Sequence, residues 1–189
     1  MAKTPGKTRD RILDAAMDLF LERGIGGTTV SDIERAVGLA AGTGSFYRHF
    51  PSKDAVVVPA LEQRLAGVAE LIAEERVETD SVIDPGDRAA AELRTRLADM
   101  QRLQPVWTLV MQERSQFPEL ERVFVESLHM ETWHVDLDEA PERAILLAAL
   151  SGFHSLALLE GSPYREVDPA QFIDKLLALL APLTAGQHS

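Results

Sequence analysis

Between Thr29 and Lys53 the chain gathers side chains suited to holding phosphate oxygens and base edges: Thr29, Thr43, Ser45, Tyr47, Arg48, His49 and Lys53. Hydroxyls, a phenol, an imidazole, a guanidinium and an ammonium are the hydrogen-bonding types on which protein–DNA contacts draw. The competing reading of the same residues is a solvated face on an ordinary three-helix bundle. No comparable constellation points to catalysis. There is no Gly-x-Ser-x-Gly elbow, phosphate loop or His-Glu-x-x-His motif, and Asp136 with Asp138 reads as a solvated helix end. The absence of cysteine excludes disulfides, thiolate zinc sites and a cysteine nucleophile. His129 and His134 are spaced five apart, poorly for one helical face, so neither a metal nor a cofactor is expected.

The elements that must position the basic and hydroxyl-bearing residues are legible as helices. From Thr8 to Arg23, Ile12, Leu13, Ala15, Ala16, Leu19 and Phe20 recur at three- and four-residue spacing, the mark of one buried helical face. Gly24 to Gly27 reads as a turn, and Thr29 with Asp32 three residues on forms a shortened capping box for a second helix reaching about Val37. Its inward side chains are expected to be Val30, Ile33, Ala36 and Val37, with Gly38 supplying a left-handed exit. A third helix containing Phe46, Tyr47 and Phe50 should stop at Pro51, and a fourth should run from Lys53 and Asp54 to about Val77, kinked at Pro59. Two helices about a glycine-bearing turn, the second rich in hydrogen-bonding groups, have the layout of a helix-turn-helix.

Five further helices are expected at about 85–102, 105–116, 118–135, 141–160 and 169–183, each beginning at a proline, a residue well tolerated at a first helical position. No segment alternates with period two, so the fold class predicted is all-α. Hydrophobic residues make up 46% of the 189, enough for a substantial core. The net charge of −11 would argue against a nucleic-acid partner were it evenly spread. It is not: the first 55 residues are slightly net positive and the excess of acid over base lies in the remainder. The basic start Met1 to Arg9 leads into an amphipathic segment and not an apolar one, so no export signal is read and a cytoplasmic location is expected. The apolar stretch Ala144 to Leu159 is broken by Ser151, Gly152, His154 and Ser155, too polar for a membrane span.

Arg11 to Phe20 (RILDAAMDLF), Gly24, Thr28 to Ile33 (TTVSDI), Ala36 to Leu39 (AVGL) and Phe46 to Asp54 (FYRHFPSKD), in that order, closely resemble the N-terminal domain of the TetR family of bacterial regulators. One departure stands out. The interval from Gly38 to Tyr47 is two residues longer than the commonest family spacing and contains Ala40 to Ser45 (AAGTGS). The resemblance implies that Tyr47, His49 and Lys53 touch phosphates and that Thr29, at the start of the second helix, lies against the backbone. Thr43, Ser45 and Arg48 are then the side chains for base edges, with Gly42 and Gly44 letting the backbone approach. Lys7 and Arg9 form a short basic arm.

The body resembles the family weakly. Family members hold an apolar ligand pocket there and dimerise through their last two long helices. Residues 142–160, apolar on more than one face, and 169–183 are therefore the expected homodimer interface. Pocket candidates are Trp107, Val110, Met111, Arg114, Phe117, Phe124, Leu128, Trp133 and His154. The competing reading of the aromatics is plain core. Arg114, on a helix otherwise facing inward, is expected to need Glu113, Glu121 or an anionic ligand.

The chain is thus predicted to be no enzyme but a ligand-responsive regulator, most simply a repressor. A helix-turn-helix DNA-binding domain over 1–55 would hold an inverted-repeat double-stranded operator. A helical ligand-binding and dimerisation domain over 56–189 would release it on binding a small-molecule effector, with no membrane involved. The rivals are a helical enzyme and an interaction protein that does not bind DNA.

Overall fold

The computed structural model of the protein describes residues 5–39, 44–80, 88–128, 141–160 and 167–185. Among these the regular structure is entirely helical: α1 Pro5–Arg23, α2 Val30–Ala36, a 3-10 turn Phe46–Arg48, α3 Asp54–Asp80, α4 Arg88–Glu113, α5 Glu119–Leu128, α6 Pro141–Glu160 and α7 Pro169–Ala185. The described residues divide into two compact units, one drawn from 1–73 with 104–131 and the other from 74–103 with 132–189.

In the first unit the helical face foreseen on α1 is buried: Ile12, Leu13, Ala16, Met17 and Phe20 meet solvent hardly at all. With Ile25, Ile33, Val37, Phe46, Phe50, Val57 and Leu61 they supply the buried apolar side chains of the N-terminal helical motif and the start of α3. Polar ties join α3 to α1 at the surface. Gln63 Nε2 donates to the Asp10 carbonyl at 3.0 Å and to Asp14 Oδ1 at 2.6 Å, and Arg64 pairs with Asp18. Farther along, Val106, Leu109, Val110, Leu120, Val123 and Phe124 are buried, with Trp107 5.2 Å from Phe124 between ring centroids.

Two expectations about helices change. The pair expected at 85–102 and 105–116 is one helix, α4, with Pro105 inside it. Proline removes one backbone donor and crowds the preceding turn, which costs stability without ending a helix held by its own buried face. That face, Leu103, Val106, Leu109 and Val110, is continuous through Pro105. On α2 the inward side is Ile33, Glu34 and Val37, while Ala36 is exposed and Val30 half-buried. A carboxylate therefore sits where alanine was expected.

The second unit has its core in Leu93 and Leu97 of α4, Leu147 and Leu150 of α6 and Ile173 of α7, with Met100, Leu146, Phe172 and Leu177 packed around it. Phe153 and Phe172 stack with ring centroids 4.2 Å apart. Arg96 and Asp99 are buried in this unit, and Glu92 lies 3.9 Å from the Arg96 guanidinium. No described helix is long and apolar enough to cross a membrane.

Candidate nucleic-acid interface

The motif is built outward from the turn between α1 and α2. The Thr28 hydroxyl donates to the Gly24 carbonyl at 2.9 Å, closing the turn on the end of α1. Thr29 then caps α2: its hydroxyl accepts the Asp32 N–H, and the Thr29 N–H and hydroxyl both donate to Asp32 Oδ2, at 3.1 and 2.6 Å. The Thr29 hydroxyl and its backbone N–H hold the Asp32 carboxyl below its ordinary range, helped by Arg23 and Arg35. The foreseen capping box is present, and it engages the Thr29 hydroxyl.

At the other end of α2, Arg11 Nη2 donates to the Val37 carbonyl at 2.7 Å, a cation on the acceptor end of a helix. Gly38 has φ +68°, the left-handed exit expected of it. The chain is next described at Gly44, whose φ of +71° is a backbone state that residues with a side chain rarely adopt. Gly44 thus serves the conformation of the connection itself.

The third helix, expected to run to Pro51, is a single 3-10 turn over Phe46–Arg48, closed by the Phe46 carbonyl accepting the His49 and Phe50 N–H groups at 2.9 and 3.1 Å. Gly44 breaks helical geometry on one side, and Pro51 disfavours it for Phe50 on the other. Few residues remain between them. Phe46 and Phe50 point into the core, 5.9 Å apart between ring centroids. Tyr47, edge-on to Phe46, is 58% exposed; Arg48 is exposed too, and Ser45 and His49 are half-buried. Thr43 lies outside the described residues.

Lys53 is anchored inward. Its Nζ donates to the Ile25 carbonyl at 2.7 Å and to the Thr28 carbonyl at 2.9 Å, holding the α1–α2 turn from below. Arg9, expected on a free basic arm, has its guanidinium 4.9 Å from the Phe50 ring centroid.

The ligand-pocket candidates divide between the two compact units. In the first, Val110 and Phe124 are buried, and Trp107, Met111 and Phe117 half-buried. Arg114 does not face inward as expected. It follows the end of α4, exposed, with Nη1 4.0 Å from Met111 Sδ, so solvent removes the need for a buried carboxylate. Its neighbour Glu113 reaches the Ile25 N–H instead, at 3.3 Å. His154 belongs to the second unit, half-buried, and burial pushes its pKa down. Trp133, the side chain of Leu128, and the pair His129 and His134 lie outside the described residues. Among the described residues no group of three or more His, Asp or Glu is arranged to hold a metal.

Glu34, Glu113 and Arg11 were not singled out as site residues from sequence. For Glu34 a signal existed: it follows Ile33 and stands three residues before Val37, within the arc those two define.

Residues 12–58 match the family model for bacterial regulatory proteins of the tetR family. The chain is 48% identical over 56 residues to the HTH-type transcriptional repressor KstR2 of Rhodococcus jostii (strain RHA1), and 44% identical over 55 residues to the HTH-type transcriptional repressor DhaR of Mycobacterium sp. (strain GP1). Each match covers 29% of this chain and 26% of the relative, so it spans about a quarter of these proteins. A crystal structure of a Mesorhizobium loti MAFF303099 protein assigned to the TetR family of transcriptional regulators superposes with a TM-score of 0.66 at 17% identity, covering 95% of this chain and 98% of that one. At that identity the likeness is one of fold. Residues 12–58 thus match the N-terminal domain of the tetR family of bacterial regulatory proteins, and along nearly its whole length the chain shares the all-helical fold of the Mesorhizobium loti protein.

Proposed function

We propose that the protein is a ligand-responsive transcriptional repressor that binds an inverted-repeat operator as a homodimer. The observation that carries this reading is the 3-10 turn, which exposes Tyr47 and Arg48 while burying Phe46 and Phe50, inside the stretch that matches the regulator family. A turn so anchored holds a phenol and a guanidinium toward solvent on a fixed base, as contact with a duplex requires. Tyr47, His49 and the start of α2 at Thr29 are assigned to phosphates, as is Lys53 through the third ammonium N–H that the Ile25 and Thr28 carbonyls leave over, and Thr43, Ser45 and Arg48 are assigned to base edges. Residues 1–55 act as the DNA-binding domain and 56–189 as the ligand-binding and dimerisation domain.

The heads of two copies, held through 142–160 and 169–183, would meet two half-sites related by a two-fold axis. Exposed Ile145 on α6 and Leu179 on α7 support an apolar interface there. A small molecule in the body releases DNA by binding better to a head spacing that does not fit the operator. The family's relatives carry the names of transcriptional repressors, which favours repression over activation. The test is a binding titration of the full chain against the DNA upstream of its own coding sequence and against random duplex. Preference for an inverted repeat in the upstream DNA is expected; equal affinity for both duplexes over a salt series would overturn the reading.

A further inference from the structure

Glu34 is an acid where the motif has most reason to avoid one. Its side chain is 2% exposed, on the inward side of α2, beneath a surface proposed to face phosphates. Burying a carboxylate carries a desolvation penalty, and its charge opposes any approaching polyanion. Packing alone would be served as well by alanine or leucine. What an apolar residue would lack is an acceptor. Glu34 Oε1 accepts the N–H of Phe46, the first residue of the 3-10 turn, at 3.1 Å within the core. The backbone carbonyl of the same residue accepts the Leu39 N–H at 2.8 Å, just beyond the end of α2.

Both ends of the lengthened connection, Leu39 and Phe46, therefore close on one residue. That connection contains Gly44 at φ +71° and leads into only three residues of 3-10 structure. A three-residue turn supplies little cooperative stability of its own. We infer that Glu34 is the positioning residue of the DNA-reading turn: its buried carboxylate fixes where Phe46 starts, and so where Tyr47 meets the phosphates and Arg48 the base edges. Glu34 touches no DNA. It sets base discrimination through the backbone it holds. This rests on the DNA-binding reading given above.

The test uses the full chain and a site selected by the wild-type protein from a randomised duplex library, with Glu34→Ala and Glu34→Gln. Alanine removes the acceptor; glutamine keeps an acceptor oxygen and removes the charge. Glu34→Ala is expected to lower discrimination between the selected site and its single-base variants about tenfold, while affinity for random duplex stays within about twofold. Hydrogen exchange at the Phe46 amide should accelerate at least about tenfold. Glu34→Gln should restore both the discrimination and the slow exchange. A purely structural role would lower random-duplex affinity together with specific affinity, and glutamine would not separate the two.

Wild-type discrimination in Glu34→Ala, or exchange at Phe46 as fast in Glu34→Gln as in Glu34→Ala, overturns the inference. Should Glu34→Ala not fold, Glu34→Gln decides alone: slow exchange at Phe46 with wild-type discrimination supports the assignment, and fast exchange overturns it. A wild-type protein that selects no site sinks the DNA-binding reading itself, whereas a wild-type site with an unaffected alanine variant sinks only the role of Glu34.

Discussion

Glu113 and Ile25 stand 88 positions apart in sequence, and Glu113 Oε1 accepts the Ile25 N–H at 3.3 Å. The carbonyl of the same Ile25 accepts from Lys53 Nζ, so the α1–α2 turn is held on its donor side by the end of α4 and on its acceptor side by the residue that precedes α3. Removing the carboxylate in Glu113→Ala leaves a part-buried N–H to be satisfied by water. Because the bond is long and partly solvated, the expected loss is near the low end of the range for such donors, about 1 kcal/mol. For a chain of this length that is a fall of roughly 2–4 °C in the melting midpoint. Glu113→Gln, which keeps an acceptor, should recover most of it; equal losses in the two variants would show that the hydrogen bond is not what matters.

Lys53 and Tyr47 are expected to separate stability from grip. Lys53→Ala removes a charged donor from two carbonyls, a loss of about 1.5–3 kcal/mol for a hydrogen-bonded ion. It should also reduce the salt dependence of DNA binding by about 0.9 per chain. Tyr47→Phe should leave the melting midpoint unchanged, since Tyr47 is exposed, and should weaken specific and random duplexes alike with the salt slope intact. A Lys53→Ala protein with the wild-type salt slope would show that this ammonium serves the turn alone.

Pro105 stands inside α4, exposed, with the Gln104 carbonyl beside it accepting the Thr108 hydroxyl at 2.9 Å. A proline in a helix interior costs up to about 3 kcal/mol relative to alanine. Pro105→Ala should therefore raise the denaturation midpoint, while the proline-in-loop reading predicts no gain. Equilibrium unfolding in urea distinguishes them.

His154 links stability to pH in the second unit. Burial disfavours the imidazolium, so the folded pKa lies below the ordinary 6.5 and the unfolded chain takes up the proton first. Where the unfolded state binds more protons, stability rises with pH. The contribution is complete above 6.5 and is lost as pH falls from there toward the folded pKa. Denaturation midpoints between about pH 7.5 and 5.5 should fall more for wild type than for His154→Gln. Parallel curves would remove His154 from the acid response.

The sequence was most legible where periodicity and end signals agreed. The buried face of α1, the capping box of Thr29 with Asp32, the left-handed Gly38, and the starts of α6 at Pro141 and α7 at Pro169 all follow from local chemistry. Pro105 misled because the same residue that opens a helix can sit within one when tertiary burial on either side holds it. The 3-10 turn at Phe46–Arg48 was legible in its residue types and not in its shape, since Glu34, which accepts its first N–H, lies twelve positions back from Phe46. The contact of Glu113 with Ile25 was invisible for the same reason at longer range. Hydrogen bonds between distant residues leave no period to read, and a charged residue scores as surface unless its phase on the helix is weighed.

Leu179 tests the proposed dimer more cleanly than its neighbours on α7. It is 73% exposed, the most exposed large apolar residue described, whereas Leu177 packs on the core formed by Leu93, Leu97, Leu147, Leu150 and Ile173. A glutamate at 177 would bring a charge against that core and confuse folding with assembly. At 179 it meets solvent in one copy and an apolar partner surface only if a second copy covers it. Leu179→Glu should keep the wild-type helical content and lose no more than about 0.5 kcal/mol of stability once dissociated. By sedimentation it should be a monomer at concentrations where the wild type is a dimer. Its affinity for an inverted repeat should fall toward that for a half-site, because a second head no longer benefits from the first being bound. A Leu179→Glu protein that sediments as a dimer with undiminished affinity for the full repeat would place the interface on another surface of the body.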